Sequence, residues 1–420
     1  MEKEYKLNRL ETTKLMGPMV DKHWAELRTA KERGERVGWC SGPMFIFPYA
    51  MDMKCHFMAG YAAYCAGRGA AEQVLEAAES VGELLDTCSY HRLHMGMAAA
   101  IEKNIPVKEE VLLPMPDLLI IGRFCTEMSH YAEGLYRRYS TPVVAVDMPP
   151  PQDKEDIARL EKYVEGQIRG SLIPEIERVC GRPFDYDRMS EILSVLKQAC
   201  TLRNECWEFA KVNPTPWTLW DYGVSIAPIF YMMGKPESVT YYTKLRDELA
   251  ERVEKKIPVM LPDGENYRLY WDSWLPWAFL GKIIRSFTKF GAVPICGRYP
   301  WEFFDHPEDI EPEPDPVRNW VQLYYTKSHI AYHASTKGGI DLISKLVEDY
   351  SIDGLVMLAS KTCRFWQGQV PIINHIEKKY GIPGILLEID QADASFYSDA
   401  QVDTRLQALF EMIDGRRRVI

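Results

Sequence analysis

The sequence contains no Cys-x-x-Cys pair, so the compact ligand spacing of zinc ribbons and small ferredoxins is absent. No run approaches the ~20 consecutive apolar residues that a membrane-spanning helix needs. The opening residues, MEKEYKLNRLETTKLMG, are charged and lack the continuous apolar stretch of a signal peptide, so the expectation is a soluble, cytoplasmic chain with no membrane partner. Positive charge is in short supply. Fifty Lys and Arg face 60 Asp and Glu, and the net charge of −10 removes the electrostatic ground for a nucleic-acid partner, while a local basic pocket for a phosphate stays open. There is no repeat at solenoid spacing and no low-complexity tract, and no cofactor is expected from a Rossmann glycine fingerprint.

What is present is a chain of 420 residues, 46% of them hydrophobic, long enough to bury two sizeable cores. Residues 117–122 (DLLIIG) and 142–147 (PVVAVD) are short apolar runs rich in β-branched residues, and the stretch between them, Glu127 to Tyr139, has helical character. The same β-α-β pattern returns at 354–359 (GLVMLA) and 384–389 (GILLEI), around a helix expected over roughly 367–380. Runs at 267–271 (YRLYW) and 292–296 (AVPIC) open this second series, and EPEPDPVRN at 311–319 reads as a surface loop. Apolar positions at three-to-four-residue spacing, such as Ile157, Leu160, Val164 and Ile168, make 153–212 mainly helical.

The expectation is therefore an α/β protein with two doubly wound, Rossmann- or flavodoxin-like parallel-sheet lobes joined by a helical segment. The chain divides into an N-terminal lobe over 1–152, a mainly helical linker or cap over 153–250, and a C-terminal lobe over 251–420.

Ten cysteines in a reducing compartment call for packing, metal ligation or catalysis rather than disulfides. Cys180, Cys200 and Cys206 lie in or beside helical patterns and read as small buried hydrophobes. Cys88, Cys125 and Cys363 differ, because each sits where an extended segment runs into a loop before a helix. In open α/β sheets ligands collect outside the carboxyl ends of the strands, so these thiols are placed to converge. Three converging thiolates suit an iron–sulfur cluster whose fourth iron stays open, and an open iron is a Lewis acid. A structural zinc site and unrelated packing thiols are the competing readings.

Motifs beyond the cysteines carry a resemblance. DTCSYHRLHMG, SKTCRFWQGQVPIINHIEKKYGIPGILLEIDQAD, the closing DAQVDTRLQALFEMI, CGRPFDYDRM at 180–189 and YRLYWDSWLPW at 267–277 together resemble the 2-hydroxyacyl-CoA dehydratase and benzoyl-CoA reductase family. VDTRLQALFEM and CGRPFDYD look closer to the larger, alpha-type dehydratase subunit, while Gln367-Gly368-Gln369 points toward the reductase. The resemblance implies one 4Fe-4S cluster between the lobes on Cys88, Cys125 and Cys363, an acyl-CoA thioester as substrate, and a homologous smaller second subunit. It also implies an ATP-hydrolysing iron–sulfur activator that injects one electron, so that the substrate loses water as a ketyl radical anion. Benzoyl-CoA ring reduction and a relay cluster without a substrate site are the alternatives.

The same resemblance singles out further residues. Ser41 falls where relatives present a hydroxyl to the open iron or the substrate; its ordinary role would be capping local backbone. Cys40 could act as a fourth ligand, which would make the cluster a relay. Relatives carry an acidic element just after this strand, whereas this chain has Phe45-Ile46-Phe47-Pro48-Tyr49, which puts the dehydratase's proton removal in question and suits an aromatic acyl group. His91, and less so His94, could hydrogen-bond cluster sulfide or move a proton. Arg92 and Arg405 match family arginines and could hold carboxylate or phosphate oxygens, with salt bridges between lobes as the other reading. Trp271, Trp274 and Trp277 are either core or the wall of an acyl or adenine pocket, and Arg416, Arg417 and Arg418 read as a solvated cluster.

Overall fold

A computed structural model describes residues 4–151, 156–301, 314–324, 333–366 and 368–418. Its strands are β1 (Lys6–Leu7), β2 (Val37–Cys40), β3 (Lys54–Phe57), β4 (Leu118–Arg123), β5 (Val143–Asp147), β6 (Met260–Leu261), β7 (Tyr267–Asp272), β8 (Ala292–Gly297), β9 (Gly354–Leu358) and β10 (Gly384–Leu387). Two four-stranded parallel sheets result, in the orders β3-β2-β4-β5 and β10-β9-β7-β8.

The two sheets share one topology. In each, the first strand in sequence is internal, the second pairs on one side of it, and the third crosses to the other side. Each sheet therefore has one switch point, between β2 and β4 and between β7 and β9, where the loops leaving adjacent strands part and open a crevice. The expected doubly wound α/β architecture is the one observed.

The apolar runs form strands because a parallel strand covered on both faces has no place for a polar side chain. β9 is buried throughout and β4 is buried up to its final Arg123. β8 contains Pro294 and nonetheless belongs to a sheet, because it is an edge strand and the register with β7 shifts between Leu269 and Tyr270. Residues 156–208 are helical apart from the turn at 181–185, and the long helix Tyr186–Glu208 packs on Pro236–Glu254. A single continuous cluster of buried side chains runs through both sheets and these helices.

The amino-terminal segment crosses to the other half of the chain. β1 pairs antiparallel with β6, and the buried Arg252 guanidinium donates to the carbonyls of Asn8 (2.7 Å), Arg9 (2.6 Å) and Pro216 (3.2 Å).

Two local readings change. The stretch read as a loop at 311–319 turns helical from Pro316, with Asp315 capping the helix Pro316–Gln322 by accepting from the Val317 and Arg318 N–H groups; residues 311–313 lie outside the described residues. Arg416 and Arg417 are not simply solvated, since they donate to the carbonyls of Tyr380 (3.0 Å) and Asn266 (2.9 Å) where the last helix passes the sheet. The helix expected from 367 begins at Gln369, and Gln367 lies outside the described residues.

Candidate functional site

The loop after β2 and the loop after β4 leave the N-terminal sheet side by side. Ser41 Oγ accepts from the Gly122 N–H at 2.9 Å and lies 3.3 Å from the Gly122 carbonyl, joining the two strand ends. The approach needs glycine: a Cβ on Gly122 would stand 2.8 Å from Met148 Sδ. Gly42, at φ +61°, likewise leaves the space that Phe124 fills. Phe124 then delivers Cys125 to the start of the helix Glu127–Tyr139. Cys88 is the residue that opens the helix Ser89–Lys103. Cys363 comes from the other sheet, in the loop after β9, so Cys125 and Cys363 follow topologically matching strands.

Cys363 and Cys125 lie near enough to Cys88 to bear on its ionisation, and Cys363 bears likewise on Cys125. Burial pushes Cys88 well above the ordinary thiol range, and the Cys363 and Cys125 thiols push it further. Burial and then Cys363 push Cys125 up to about 12. Cys363 is raised by burial and held back by the N–H groups aimed at its sulfur. Trp274 Nε1 donates to that sulfur at 3.3 Å and the Phe365 N–H at 3.4 Å. Backbone N–H groups of His91, Met128 and Glu127 similarly oppose the rise at Cys88 and Cys125. Opposite pulls of this kind suit sulfurs that become thiolates once a positive centre compensates burial.

Residues next to the cysteines tie all three sides of the triangle. The Ser89 N–H donates to Thr362 Oγ1 at 3.0 Å, linking the neighbours of Cys88 and Cys363. The Phe124 and Phe365 rings meet edge to face at 5.3 Å, linking Cys125 to Cys363. His91 Nδ1 and Glu127 Oε1 stand 2.7 Å apart, linking the helices of Cys88 and Cys125. Thr362 is itself anchored on the fully buried Asp390, to which its hydroxyl donates at 2.6 Å. A cavity of about 790 Å³ touches Cys125, Phe124 and Phe365, and one of about 390 Å³ touches Cys363, Ser273 and Trp366.

Among the described residues no three His, Cys, Asp or Glu side chains are close enough to share one metal ion.

Each of the other candidates has a definite place. Arg92 is fully buried and donates to Asp393 (2.7 Å) and Glu79 (2.5 Å), so its charge is used inside the fold. Arg405 is exposed on the helix Asp399–Arg417. The Cys40 thiol neighbours Cys55. His94 stacks on His56 with ring centroids 5.1 Å apart, and burial brings it down to about 3. Phe45 is buried against Tyr49, Phe57 and Phe230. The tryptophans divide: Trp271 is core, Trp274 contacts Cys363, and Trp277 donates to Tyr90 Oη at 3.0 Å.

Sequence reading did not assign Glu127, Thr362, Asp390 or the pair Asp272–Arg298. That pair is bidentate at 2.6 Å and fully buried, with the Arg298 guanidinium 4.9 Å from the Trp366 ring. The position of Glu127 two residues after Cys125, at a helix start, was the available signal. For Asp272 and Arg298 only the tertiary pairing identifies them.

Comparison with known proteins agrees in extent with the fold. The chain is 26% identical over 406 residues to the alpha subunit of lactoyl-CoA dehydratase from Anaerotignum propionicum, covering 93% of each. It is 27% identical over 413 residues to one subunit of the benzoyl-CoA reductase of Thauera aromatica (95% of this chain, 94% of the relative), and 24% over 392 residues to the (R)-phenyllactyl-CoA dehydratase alpha subunit of Clostridium sporogenes (92% of each). The family described as 2-hydroxyglutaryl-CoA dehydratase, D-component, matches residues 46–413, a span that takes in the C-terminal sheet, three of the four strands of the N-terminal sheet and all three cysteines, and the chain belongs to that family.

Proposed function

We propose that this chain is the iron–sulfur subunit of an (R)-2-hydroxyacyl-CoA dehydratase, with a 4Fe-4S cluster held by Cys88, Cys125 and Cys363. The observation that carries the reading is that residues beside Cys88, Cys125 and Cys363 contact one another pairwise, drawing these three cysteines toward one place. Cys363 Sγ is met by the N–H groups of Trp274 and Phe365, donors that suit a thiolate ligand of a cluster with three protein ligands. When bound, such a cluster supplies an open Lewis-acidic iron and a route for one electron.

The chain's own residues orient, exclude water and set charge. Ser41 holds the strand ends behind Cys125, and His91 with Glu127 fixes the two helix starts that carry Cys88 and Cys125. Trp274 donates to Cys363 and walls it with apolar surface. Elimination of water from the 2-hydroxyacyl thioester then proceeds with an electron from an ATP-hydrolysing iron–sulfur activator and in company with a second, homologous subunit. The relatives' names, as alpha subunits of dehydratases, support the coarser part of this assignment.

A second reading, ring reduction of benzoyl-CoA, is favoured by one observation. Phe45 stands in an aromatic group with Tyr49, Phe57 and Phe230 at the place where a carboxylate was expected, and a benzoyl-CoA reductase is among the relatives.

Anaerobic purification, with iron and acid-labile sulfide counted in wild type, Cys88→Ala, Cys125→Ala and Cys363→Ala, tests the cluster. About four iron and four sulfide per chain, lost in all three variants, is the expected result. Full iron in every variant would overturn the assignment. Assays of lactoyl-CoA against benzoyl-CoA then separate the two activities.

A further inference from the structure

The cavity of about 390 Å³ that touches Cys363 lies at the carboxyl end of the C-terminal sheet, by the switch point between β7 and β9. Its polar side chains are Ser273, Ser360, Arg364 and Gln369. Three of these already serve the fold. The Ser360 hydroxyl meets Asp390 and Gln391, Arg364 donates to the Lys361 carbonyl at 2.9 Å, and the Gln369 amide donates to the Trp366 carbonyl at 3.2 Å. Ser273 differs: it is 1% exposed, and its hydroxyl has no hydrogen-bond partner among the described residues. A buried hydroxyl in that position has given up its bonds to water for nothing in the fold.

The other serines near the cysteines do not compete. Ser41 is engaged with the N–H and carbonyl of Gly122. Ser89 also carries a hydroxyl with no partner among the described residues, but it lies on neither cavity at the cysteines.

Ser273 is held in place from both sides. Its φ of +71° is in the left-handed region that side chains other than glycine rarely adopt. Asp272 before it is clamped by Arg298 at 2.6 Å, and Trp274 after it donates to Cys363 Sγ and accepts from Trp271 Nε1 at 3.1 Å. The helix Gln369–Tyr380 opens on the same cavity through Gly368 and Gln369, with no side-chain cap. Its first turn contributes partial positive charge there. An O–H donor and a positive helix end at one cavity suit an oxygen that becomes negative during reaction.

We propose that the Ser273 hydroxyl donates a hydrogen bond to the carbonyl oxygen of the acyl thioester. The inference rests on the acyl-CoA reading above and adds to it a residue that contacts the reacting group. One electron, supplied by the iron–sulfur activator and placed on that carbonyl, leaves its oxygen negative. The Ser273 donor then holds the reduced carbonyl more tightly than the neutral one.

The test is equilibrium dialysis of the full chain, purified without oxygen, against propanoyl-CoA and S-propyl-CoA, a thioether that lacks the carbonyl oxygen. Wild type is compared with Ser273→Ala, which removes only the hydroxyl, and Ser273→Gly, which also suits the positive φ. The expected result is that wild type binds the thioester about five- to tenfold more tightly than the thioether. Both variants lose most of that preference, bind the thioether as wild type does, keep the wild-type iron content and melt no lower than wild type. Equal binding of the two ligands by wild type, or a preference retained in the variants, would overturn the role of Ser273 and leave the acyl-CoA reading standing. A lower melting temperature in both variants, or an equal loss of binding for both ligands, would show that the hydroxyl serves the fold and would overturn it too. Binding of neither ligand by wild type would overturn both readings.

Discussion

The Ser89 N–H donates to Thr362 Oγ1 across 273 residues of sequence, and each partner is the immediate neighbour of a candidate ligand, Cys88 or Cys363. Thr362 in turn donates to Asp390, whose other oxygen accepts the N–H groups of Ala392 and Asp393 at 3.0 Å. Protein hydrogen bonds thus tie the helix start that carries Cys88 to the loop after β9 that carries Cys363. Thr362→Val keeps the shape but leaves the buried Ser89 N–H without its acceptor, while Asp390 Oδ2 keeps the Ser360 hydroxyl and the backbone N–H of residue 362. A loss of about 1–3 kcal/mol in anaerobic urea unfolding, with reduced iron per chain, is the expected outcome. Unchanged stability would mean that this contact does not hold the loops together.

Trp274→Phe removes the indole donor to Cys363 Sγ while keeping an aromatic wall. An N–H aimed at a ligand sulfur favours the more electron-rich, reduced form. A hydrogen bond of about 1 kcal/mol corresponds to roughly 40 mV for a one-electron couple. A redox titration followed by electron paramagnetic resonance should move by about that much to more negative potential, with iron content unchanged.

Asp272 and Arg298 form a bidentate pair with no exposure of either side chain, and Tyr270 Oη donates to the same carboxylate at 2.7 Å. Removing one partner leaves the other charge buried and unpaired. Arg298→Met is expected to cost about 3–5 kcal/mol in chemical denaturation. Combining it with Asp272→Leu should recover a large share of that loss, which separates charge burial from packing.

Burial holds His23 and His94 each down to about 3, and lowers His56 as well. Each is neutral in the folded protein, while its unfolded counterpart takes up a proton near its ordinary value of about 6.5. The unfolded chain binds more protons between these limits, so stability is fully present above pH ~6.5 and falls as pH drops toward ~3. The urea midpoint should decline from pH 7.5 to pH 5.5, and His94→Leu should make that decline shallower. An equally steep decline in the variant would exclude His94 as a contributor.

Much of the fold was legible. DLLIIG, PVVAVD and GLVMLA read as strands and are β4, β5 and β9, the first and last buried almost throughout and the edge strand β5 alternating between buried and exposed positions. Cys125 and Cys363 stood out because each follows a strand and precedes a helix, a pattern the structure keeps, whereas Cys88 follows turns after the helix Ala71–Glu79 and opens the helix Ser89–Lys103 without a strand before it. The run at 311–319 misled, since proline and acidic residues mark a loop and the first turn of a helix alike, and Asp315 with Pro316 performs the second task. Arg92 matched a ligand-binding pattern, but Asp393, 301 residues away, takes its guanidinium.

By itself the sequence determined the elements, the parallel doubly wound class and the three positions worth watching, because periodic burial and turn chemistry act over a few residues. Only the tertiary structure decided that neighbours of Cys88, Cys125 and Cys363 contact one another, that Trp274 donates to sulfur, and that Asp272 neutralises Arg298. The physical reason is range. A polar side chain takes its meaning from the partner that satisfies it once water is excluded, and in this chain those partners sit on other elements of the fold.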